Sequence, residues 1–246
     1  MPLRIAFDLD GVLADMDSEL VRQAELLFGE TMTRRLGSHA AEVGEAASTA
    51  AAEPQSATDN APPLLQLNMS PRQQRRLWRH VESIDNFWQN LREIEPGTVQ
   101  RLAGIASDRR WEVIFLTKRP ETVGATAQVQ TQRWLESLGF TLPSVYVVQG
   151  SRGRIAAALG LDIVVDDRPE NCLDVVVDSK ARAILVWRED QEQLPVAAKR
   201  LGIGVVTTVA ECLDILTQVD SAEAREQPGV MDRVMRLLGH KESASA

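Results

Sequence analysis

The hydrophobic and polar positions of this chain form short apolar runs separated by amphipathic stretches with helical spacing, most regularly after residue 97. Short apolar runs bounded by turn residues predict buried strands, and helical spacing predicts helices packed against them. Repeated strand–helix units with short connections predict an α/β fold, a Rossmann-like parallel sheet with helices on both faces. The predicted strands cover residues 5–9, 111–116, 145–148, 162–165, 183–187 and 204–207. The predicted helices of this part cover residues 98–109, 122–138, 151–159, 169–179, 191–201 and 209–217.

Residues 16–95 have a different pattern and predict a small helical cap inserted after the first strand. One helix is expected from about Asp15 to about Leu36, and a second from Ser70 to about Ser83, since Ser followed by Pro is a typical helix start. Between them, residues 38–63 are rich in Ala, Ser, Glu and Thr, and this composition favours a disordered loop. The chain is therefore expected to divide into a core of residues 1–15 and 96–220, the cap, and a carboxyl-terminal extension of residues 221–246.

Composition narrows the class of protein. The chain has 246 residues and a formal net charge of −8, which argues against a surface that coats nucleic acid. Its only cysteines are Cys172 and Cys212, too few for a disulfide framework, and no signal peptide is expected before the first strand. No apolar run approaches the ~20 residues of a membrane span. A cytoplasmic protein with reduced thiols and no membrane partner is expected.

The candidate chemistry lies where the predicted strands end. Asp8 and Asp10 end the first strand, and a buried pair of acids is costly unless a cation neutralises it. Oxygen ligands of this kind suit Mg²⁺. The carboxyl ends of parallel strands meet at one edge of a sheet, so the other polar strand ends should join this pair. These are Thr117, Lys118 and Arg119 after the second strand, Arg152 and Arg154 at the start of a helix, and Asp166 and Asp167. Together they offer a nucleophile, an acid, a metal site and donors for phosphate oxygens, as phosphoryl transfer requires.

The stretch Asp8-Leu9-Asp10-Gly11-Val12-Leu13-Ala14-Asp15 resembles the first motif of the haloacid-dehalogenase-like (HAD) phosphatases, D-x-D-G-T/V-L. The order and spacing of the later segments resemble the other three motifs, and the resemblance covers most of residues 3–187. Further details resemble the 5′(3′)-deoxyribonucleotidase-type group of that superfamily. They are residues 87–91 before Pro96 and Gly97, the turn at residues 116–120, and the segment at residues 166–171.

The resemblance implies a role for each acid. Asp8 would attack phosphorus and form an aspartyl-phosphate, and Asp10 would protonate the leaving oxygen and later activate water. Thr117 would hydrogen-bond the phosphoryl group. Mg²⁺ would be held by Asp8, Asp10 (including its backbone carbonyl) and Asp166, while Asp167 would either help to bind the metal or orient a water.

The third motif of the family usually carries a lysine, whereas this chain offers Arg152 or Arg154. Counting back from Asp166 favours Arg152; arginine keeps the charge and grips phosphate with two N–H groups but does not keep the lysine geometry. Lys118 is a possible substitute.

The remaining assignments concern the substrate. The expected contacts are Lys118, Arg119, Arg154, Phe87 and Trp88. Phe87 and Trp88 would be near a base of the substrate, although a place in the core is the default for aromatic residues.

The sequence thus predicts a Mg²⁺-dependent phosphomonoesterase for a small phosphorylated metabolite, with a (deoxy)nucleoside monophosphate as the first expectation. One alternative is the same chemistry on a sugar phosphate or another metabolite. Another is a non-catalytic binding protein on the same scaffold, although a pure binder has no need of a costly acid cluster. A phosphatase for nucleic-acid ends would need a basic track longer than residues 72–79, so no nucleic-acid partner is expected.

Overall fold

A single parallel sheet organises the chain. The computed structural model describes residues 2–30 and 69–223. Six strands lie in the order β3-β2-β1-β4-β5-β6, and every neighbouring pair is parallel. The strands are β1 (Arg4–Asp8), β2 (Glu112–Thr117), β3 (Ser144–Val147), β4 (Ile163–Asp166), β5 (Arg182–Val186) and β6 (Gly204–Val206). The α/β, Rossmann-like fold class is confirmed.

Helices connect the strands and flank the sheet. They are α1 (Met16–Phe28), α2 (Pro71–Glu82), α3 (Thr98–Arg109), α4 (Ala127–Ser137), α5 (Arg152–Leu159), α6 (Pro169–Asp178), α7 (Val196–Arg200) and α8 (Val209–Glu223). Short 3₁₀ helices cover Phe87–Asn90 and Gln191–Gln193. Within the described residues, no helix has the length and apolar content that crossing a membrane requires.

The strands alternate between two hydrophobic cores, one on each face of the sheet. In β1, Ile5 and Phe7 belong to a large core with residues of α3, α4 and α8, whereas Ala6 belongs to a smaller core with residues of α5, α6 and α7. The same alternation continues in β2, where Phe115 faces the first core and Leu116 the second. Since side chains of a strand point to opposite faces in turn, this pattern covers the sheet on both sides.

Most predicted elements form within two residues of their expected bounds, and the exceptions have local causes. The helix expected over residues 122–138 begins only at Ala127, after Gly124 with φ +103° and the capping side chain of Thr126. The helix expected over residues 191–201 is broken into Gln191–Gln193 and Val196–Arg200, since Pro195 cannot donate a helical N–H. The helix expected to reach Leu36 ends at Phe28, because Gly29 with φ +85° follows it. The helix expected over residues 209–217 continues to Glu223.

The cap region joins the core through two chain segments, residues 14–15 and 92–93, which lie side by side. Ala14 and Glu93 form an antiparallel bridge, and the backbone N–H of Asp15 donates to the carbonyl of Arg92 at 2.9 Å. Helices α1 and α2 pack together, and their residues Leu20 and Leu77 join the larger core. The division into core and cap remains a prediction; residues 38–63 and nearly all of 221–246 lie outside the described residues.

Helix α5 lies unusually close to α6 at Gly153. A Cβ atom at this position would lie 2.0 Å from the backbone carbonyl oxygen of Asp174 in α6. Glycine therefore permits the close approach, and the approach fixes the start of α5, where the buried side chain of Arg152 lies next to Gly153.

We predict that Gly153→Ala lowers the free energy of unfolding by about 2–3 kcal/mol, because a rigid backbone carbonyl cannot yield to the added methyl group. Urea unfolding followed by circular dichroism measures the effect. Gly104→Ala in α3 is the matched control, since its Cβ would meet no atom within 4 Å; it should be stabilising by about 0.5–1 kcal/mol. Equal changes in the two variants would contradict the close packing.

Candidate active site

Three neighbouring strands bring the predicted polar residues to one edge of the sheet. β1 lies between β2 and β4, and Asp8, Thr117 and Asp166 are the last residues of these strands. All three are buried, with Thr117 and Asp166 at 0% exposure. The carboxyl edge of an open parallel sheet is where such folds bind ligands.

Arg152 connects the carboxylates of β1 and β4. Its side chain is buried, and its Nη2 donates a hydrogen bond to Asp8 Oδ1. Its Nε lies 3.6 Å from Asp166 Oδ2. Arg154, two residues further along α5, is exposed. Of the two arginines considered for the third motif, Arg152 is therefore the one in contact with Asp8.

Asp166 is held by the first turn of α6. Asn171 Nδ2 donates to both carboxylate oxygens of Asp166 at 3.0 Å, and the backbone N–H of Arg168 donates to Oδ1 at 2.9 Å. These donors fix the orientation of the Asp166 carboxylate between the strand end and Arg152. No role for Asn171 was predicted from the sequence, although it lies only two residues after Pro169, which begins the helix.

Asp10 is bound by two residues of the segment that follows β2. Arg119 Nη2 donates to Asp10 Oδ1 at 2.7 Å, and Arg119 Nε lies 3.0 Å from both carboxylate oxygens. The hydroxyl of Thr117 donates to Asp10 Oδ2 at 2.9 Å. One sequence-based role is corrected here, since Arg119 is 1% exposed and holds Asp10 rather than a substrate. The role of Thr117 toward a phosphoryl group stays a prediction.

Asp167 lies directly against the turn after Asp10. Gly11 has φ +87°, and a Cβ on it would lie 2.0 Å from Asp167 Oδ2, so only glycine permits this contact. Asp167 Oδ1 is buried and accepts no hydrogen bond from the described residues. Burial first, and the charge of Asp166 second, raise the pKa of Asp167 to about 8.

The other two acids also carry raised pKa values. Burial is the main cause for Asp8, whose pKa is well above its ordinary range; the negative charge of Asp166 adds to the effect and Arg152 opposes it. Burial also raises the pKa of Asp166, against the charge of Arg152 and the hydrogen bond from Asn171. Arg152 is thus the only buried cation in contact with Asp8 and Asp166 in the described part of the chain. When Asp8, Asp166 and Asp167 are all ionised, their three negative charges exceed the single positive charge of Arg152.

The excess charge and the unpartnered oxygen of Asp167 fit a bound divalent cation. Carboxylate oxygens are the ligands that Mg²⁺ prefers. Nevertheless, no three acidic, His or Cys side chains of residues 2–30 and 69–223 converge as a ready set of metal ligands. Arg152 engages one oxygen of Asp8, and Arg119 engages both oxygens of Asp10. Asp8, Asp166 and Asp167 would therefore have to turn their carboxylates toward one another to share an ion, and the unpartnered oxygen of Asp167 is the observation that favours this set. The carboxylate of Asp10 does not belong to the set, because Arg119 engages both of its oxygens.

A small open cavity of about 50 Å³ lies over these residues. Asp8, Asp10, Lys118, Arg152 and Asp167 all line it, as the sequence predicted for a common site. Helix α1 contributes residues that the sequence analysis missed, Met16 and Asp17, and the turn before α6 contributes Arg168. The position of α1 immediately after the first motif was the available signal.

Phe87, Trp88 and Arg154 are not brought to this cavity. Phe87 and Trp88 are 2% and 0% exposed, and their rings pack edge to face with centroids 4.8 Å apart. The assignment of this pair to the base of a substrate is corrected, because both rings lie in the core. Arg154 points outward from α5, since residues 152 and 154 lie on different faces of a helix.

The sequence matches no protein-family model and no curated protein. Several solved structures have a similar architecture. A candidate beta-phosphoglucomutase from Thermotoga maritima is 17% identical, with a TM-score of 0.49 over 88% of this chain and 99% of that one. A HAD family hydrolase from Deinococcus radiodurans R1, with bound phosphate and sodium, is 18% identical, with a TM-score of 0.47 over 88% and 96%. A phosphonoacetaldehyde hydrolase-like protein from Oleispira antarctica is 16% identical, with a TM-score of 0.45 over 92% and 95%. At these values none of them assigns this chain a family or an activity.

We predict that the metal-free protein loses stability as the pH rises from about 4 to about 8. A carboxyl whose pKa is raised to about 8 in the folded state stabilises that state only while protonated, so the contribution of Asp167 is lost as the pH rises. Asp167→Asn should reduce the loss by on the order of 2 kcal/mol. Urea unfolding at several pH values in the presence of a chelator measures it.

The control for this prediction is Asp108→Asn on the exposed surface of α3, which should follow the pH dependence of the unmodified protein. Added Mg²⁺ should offset the loss at pH 8 in the unmodified protein and much less in Asp167→Asn. Parallel pH profiles for the unmodified protein and Asp167→Asn would rule out Asp167 as the source.

Proposed function

We propose that this chain is a phosphatase that hydrolyses phosphate monoesters of small metabolites through an aspartyl-phosphate on Asp8. One observation carries the proposal: the carboxylate of Asp8 opens to a cavity while Arg152 binds one of its oxygens and Asp10 lies two residues further along the chain. Asp8 Oδ2 accepts no hydrogen bond from the described residues and is the oxygen available for attack. Lys118 and Arg168 at the same cavity supply positive charge for a phosphoryl group.

The reaction has two steps. In the first, Asp8 Oδ2 attacks phosphorus, the bond from phosphorus to the ester oxygen breaks, and Asp10 gives its proton to the departing alcohol. In the second, a water oxygen attacks phosphorus, its proton passes to Asp10, and the bond from phosphorus to Asp8 breaks. Inorganic phosphate leaves, and both carboxyls return to their starting states.

Mg²⁺ is part of the proposal. Asp8, Asp166 and Asp167 would hold it, and it would neutralise their charges and those of the phosphoryl oxygens. Arg152 remains beside Asp8 and Asp166 in this arrangement and stabilises the negative charge that builds up between Asp8 and phosphorus. Asn171 keeps Asp166 directed toward the site.

The residues that line the cavity bear on the substrate class. The resemblance of the sequence to deoxyribonucleotidases supports a (deoxy)nucleoside monophosphate. One observation favours the alternative of a sugar phosphate: among the described residues that line the cavity none is aromatic, and most are charged or polar. Bases are usually held by stacking, whereas hydroxyl groups are held by groups such as Asp17 and Asn171. The free, buried cysteines Cys172 and Cys212 support a cytoplasmic location for the enzyme.

We predict Mg²⁺-dependent release of inorganic phosphate from at least one member of a panel of nucleoside monophosphates, sugar phosphates and aryl phosphates. Asp8→Asn should lower kcat by about 10⁴-fold or more, because the amide oxygen is a poor nucleophile. A chelator should abolish release, and added Mg²⁺ should restore it. Release that persists in Asp8→Asn would contradict the nucleophile, and no release from any member would favour a binding protein.

We also predict that Asp10→Asn accumulates the covalent intermediate when it is given an aryl phosphate. Phenolates leave without a proton, so the first step survives, whereas the second step lacks its base. Labelled phosphate should remain on the protein after acid quenching and should be released by hydroxylamine, which cleaves acyl phosphates. Asp8→Asn/Asp10→Asn is the control and should carry no label; label in this double variant would place the intermediate on another residue.

A further inference from the structure

The guanidinium group of Arg119 is hydrogen-bonded to other residues of the protein and is too deeply buried to contact a substrate. Nε and Nη2 bind the carboxylate of Asp10, and Nη1 donates to the hydroxyl of Thr131 in α4 at 2.9 Å. The Arg119 side chain has no exposure to solvent, against 12% for that of Asp10. A buried charge of this kind is costly unless it is paired and hydrogen-bonded, and here each of the three guanidinium nitrogens has a hydrogen-bond partner.

Two tryptophan rings enclose the same guanidinium. Its carbon lies 5.0 Å from the ring centroid of Trp88 and 5.8 Å from that of Trp134. Each ring is fixed by its own indole N–H, from Trp88 to the carbonyl of Pro120 at 2.9 Å and from Trp134 to the carbonyl of Leu91 at 2.8 Å. The backbone N–H of Trp88 also donates to Gln130 Oε1 at 3.0 Å. The 3₁₀ helix Phe87–Asn90 and helix α4 therefore form a rigid, largely apolar socket for one cation.

We infer that Arg119, held in the Trp88–Trp134 socket, is the positioning residue that aims the carboxylate of Asp10 at the substrate oxygen. The inference rests on the proposed phosphatase function. The fork of Arg119 and the hydroxyl of Thr117 hold both oxygens of Asp10, so the direction of this carboxylate at the wall of the cavity is fixed. The aromatic residues before Pro96 and Gly97 thus act on the chemistry through Arg119 and touch no substrate.

The role has a kinetic signature that a merely structural role lacks. An alkyl phosphate needs a proton on its leaving oxygen, whereas 2,4-dinitrophenyl phosphate releases a stable phenolate without one. The ratio kcat/KM reports the steps up to departure of the leaving group, and kcat also reports hydrolysis of the aspartyl-phosphate. A misplaced Asp10 therefore lowers kcat/KM for the alkyl ester alone, and lowers kcat for both esters.

The experiment compares Arg119→Met with the unmodified protein on these two esters, with Mg²⁺ present and the alkyl ester taken from the active members of the substrate panel. We expect kcat/KM to fall by at least about 100-fold for the alkyl ester and by less than about 3-fold for the dinitrophenyl ester. Dinitrophenolate should appear in a burst equal to the concentration of active sites. Because the burst counts active sites, a partly unfolded preparation does not mimic the result. Arg119→Lys, which keeps the charge but not the fork, should recover part of the loss.

Trp88→Phe tests the socket without removing Arg119, and should reproduce the same pattern at about 5- to 10-fold. Trp111→Phe is the matched control, because Trp111 is a buried tryptophan at the opposite end of β2 from Thr117, and its kinetics should be unchanged. Equal losses of kcat/KM on both esters in Arg119→Met and Trp88→Phe, with no burst, would overturn the positioning role while leaving the phosphatase intact. An unmodified protein that hydrolyses neither ester would instead overturn the proposed function, and the inference with it.

Discussion

The burial of carboxylates at the carboxyl edge of the sheet is the constraint on which the rest of the site depends. Asp8 and Asp166 can be buried there only beside a buried cation, and Arg152 at the start of α5 supplies it. That requirement fixes the position of α5, and Gly153 lets α5 approach α6 closely enough to meet it. The same α6 begins with the groups that orient Asp166. The charges at the strand ends thus constrain how α5 packs against α6.

The turn after Asp10 is contacted by residues that lie far from it in the sequence. Arg188, which follows β5, donates to the carbonyls of Gly11 and Val12 and to Glu95 at 2.9 Å. Glu95 also accepts the first backbone N–H groups of α8 from Val209 and Ala210. This arrangement links the turn of the first motif, the return from the cap region and the start of α8. Asp167 also lies against Gly11, so the same turn is in contact with both Arg188 and Asp167.

Much of this was predictable because the relevant signals are local. Apolar runs ending in Asp or Thr predicted which residues reach the site edge, and the count back from Asp166 selected Arg152, which does contact Asp8. The partners of Arg119 were not predictable, since Asp10 and Trp134 lie far from it in sequence and only the packing of α4 brings them together. Phe87 and Trp88 were predicted to lie near a substrate, but both rings lie in the core. The sequence shows that an aromatic pair is present, but not whether the pair faces the core or the cavity.

Arg152 and Arg119 bind their carboxylates with the same chemical group but in different geometries. Arg152 binds one oxygen of Asp8 and leaves the other open to the cavity, which suits a residue that must attack. Arg119 binds both oxygens of Asp10, which suits a residue whose direction matters more than its freedom. A lysine, with a single point of charge, could replace Arg152 in its contact with Asp8, but it could not form the fork that Arg119 makes. Under the proposed function, the geometry of the cation therefore separates two carboxylates that lie two residues apart into a nucleophile and an acid.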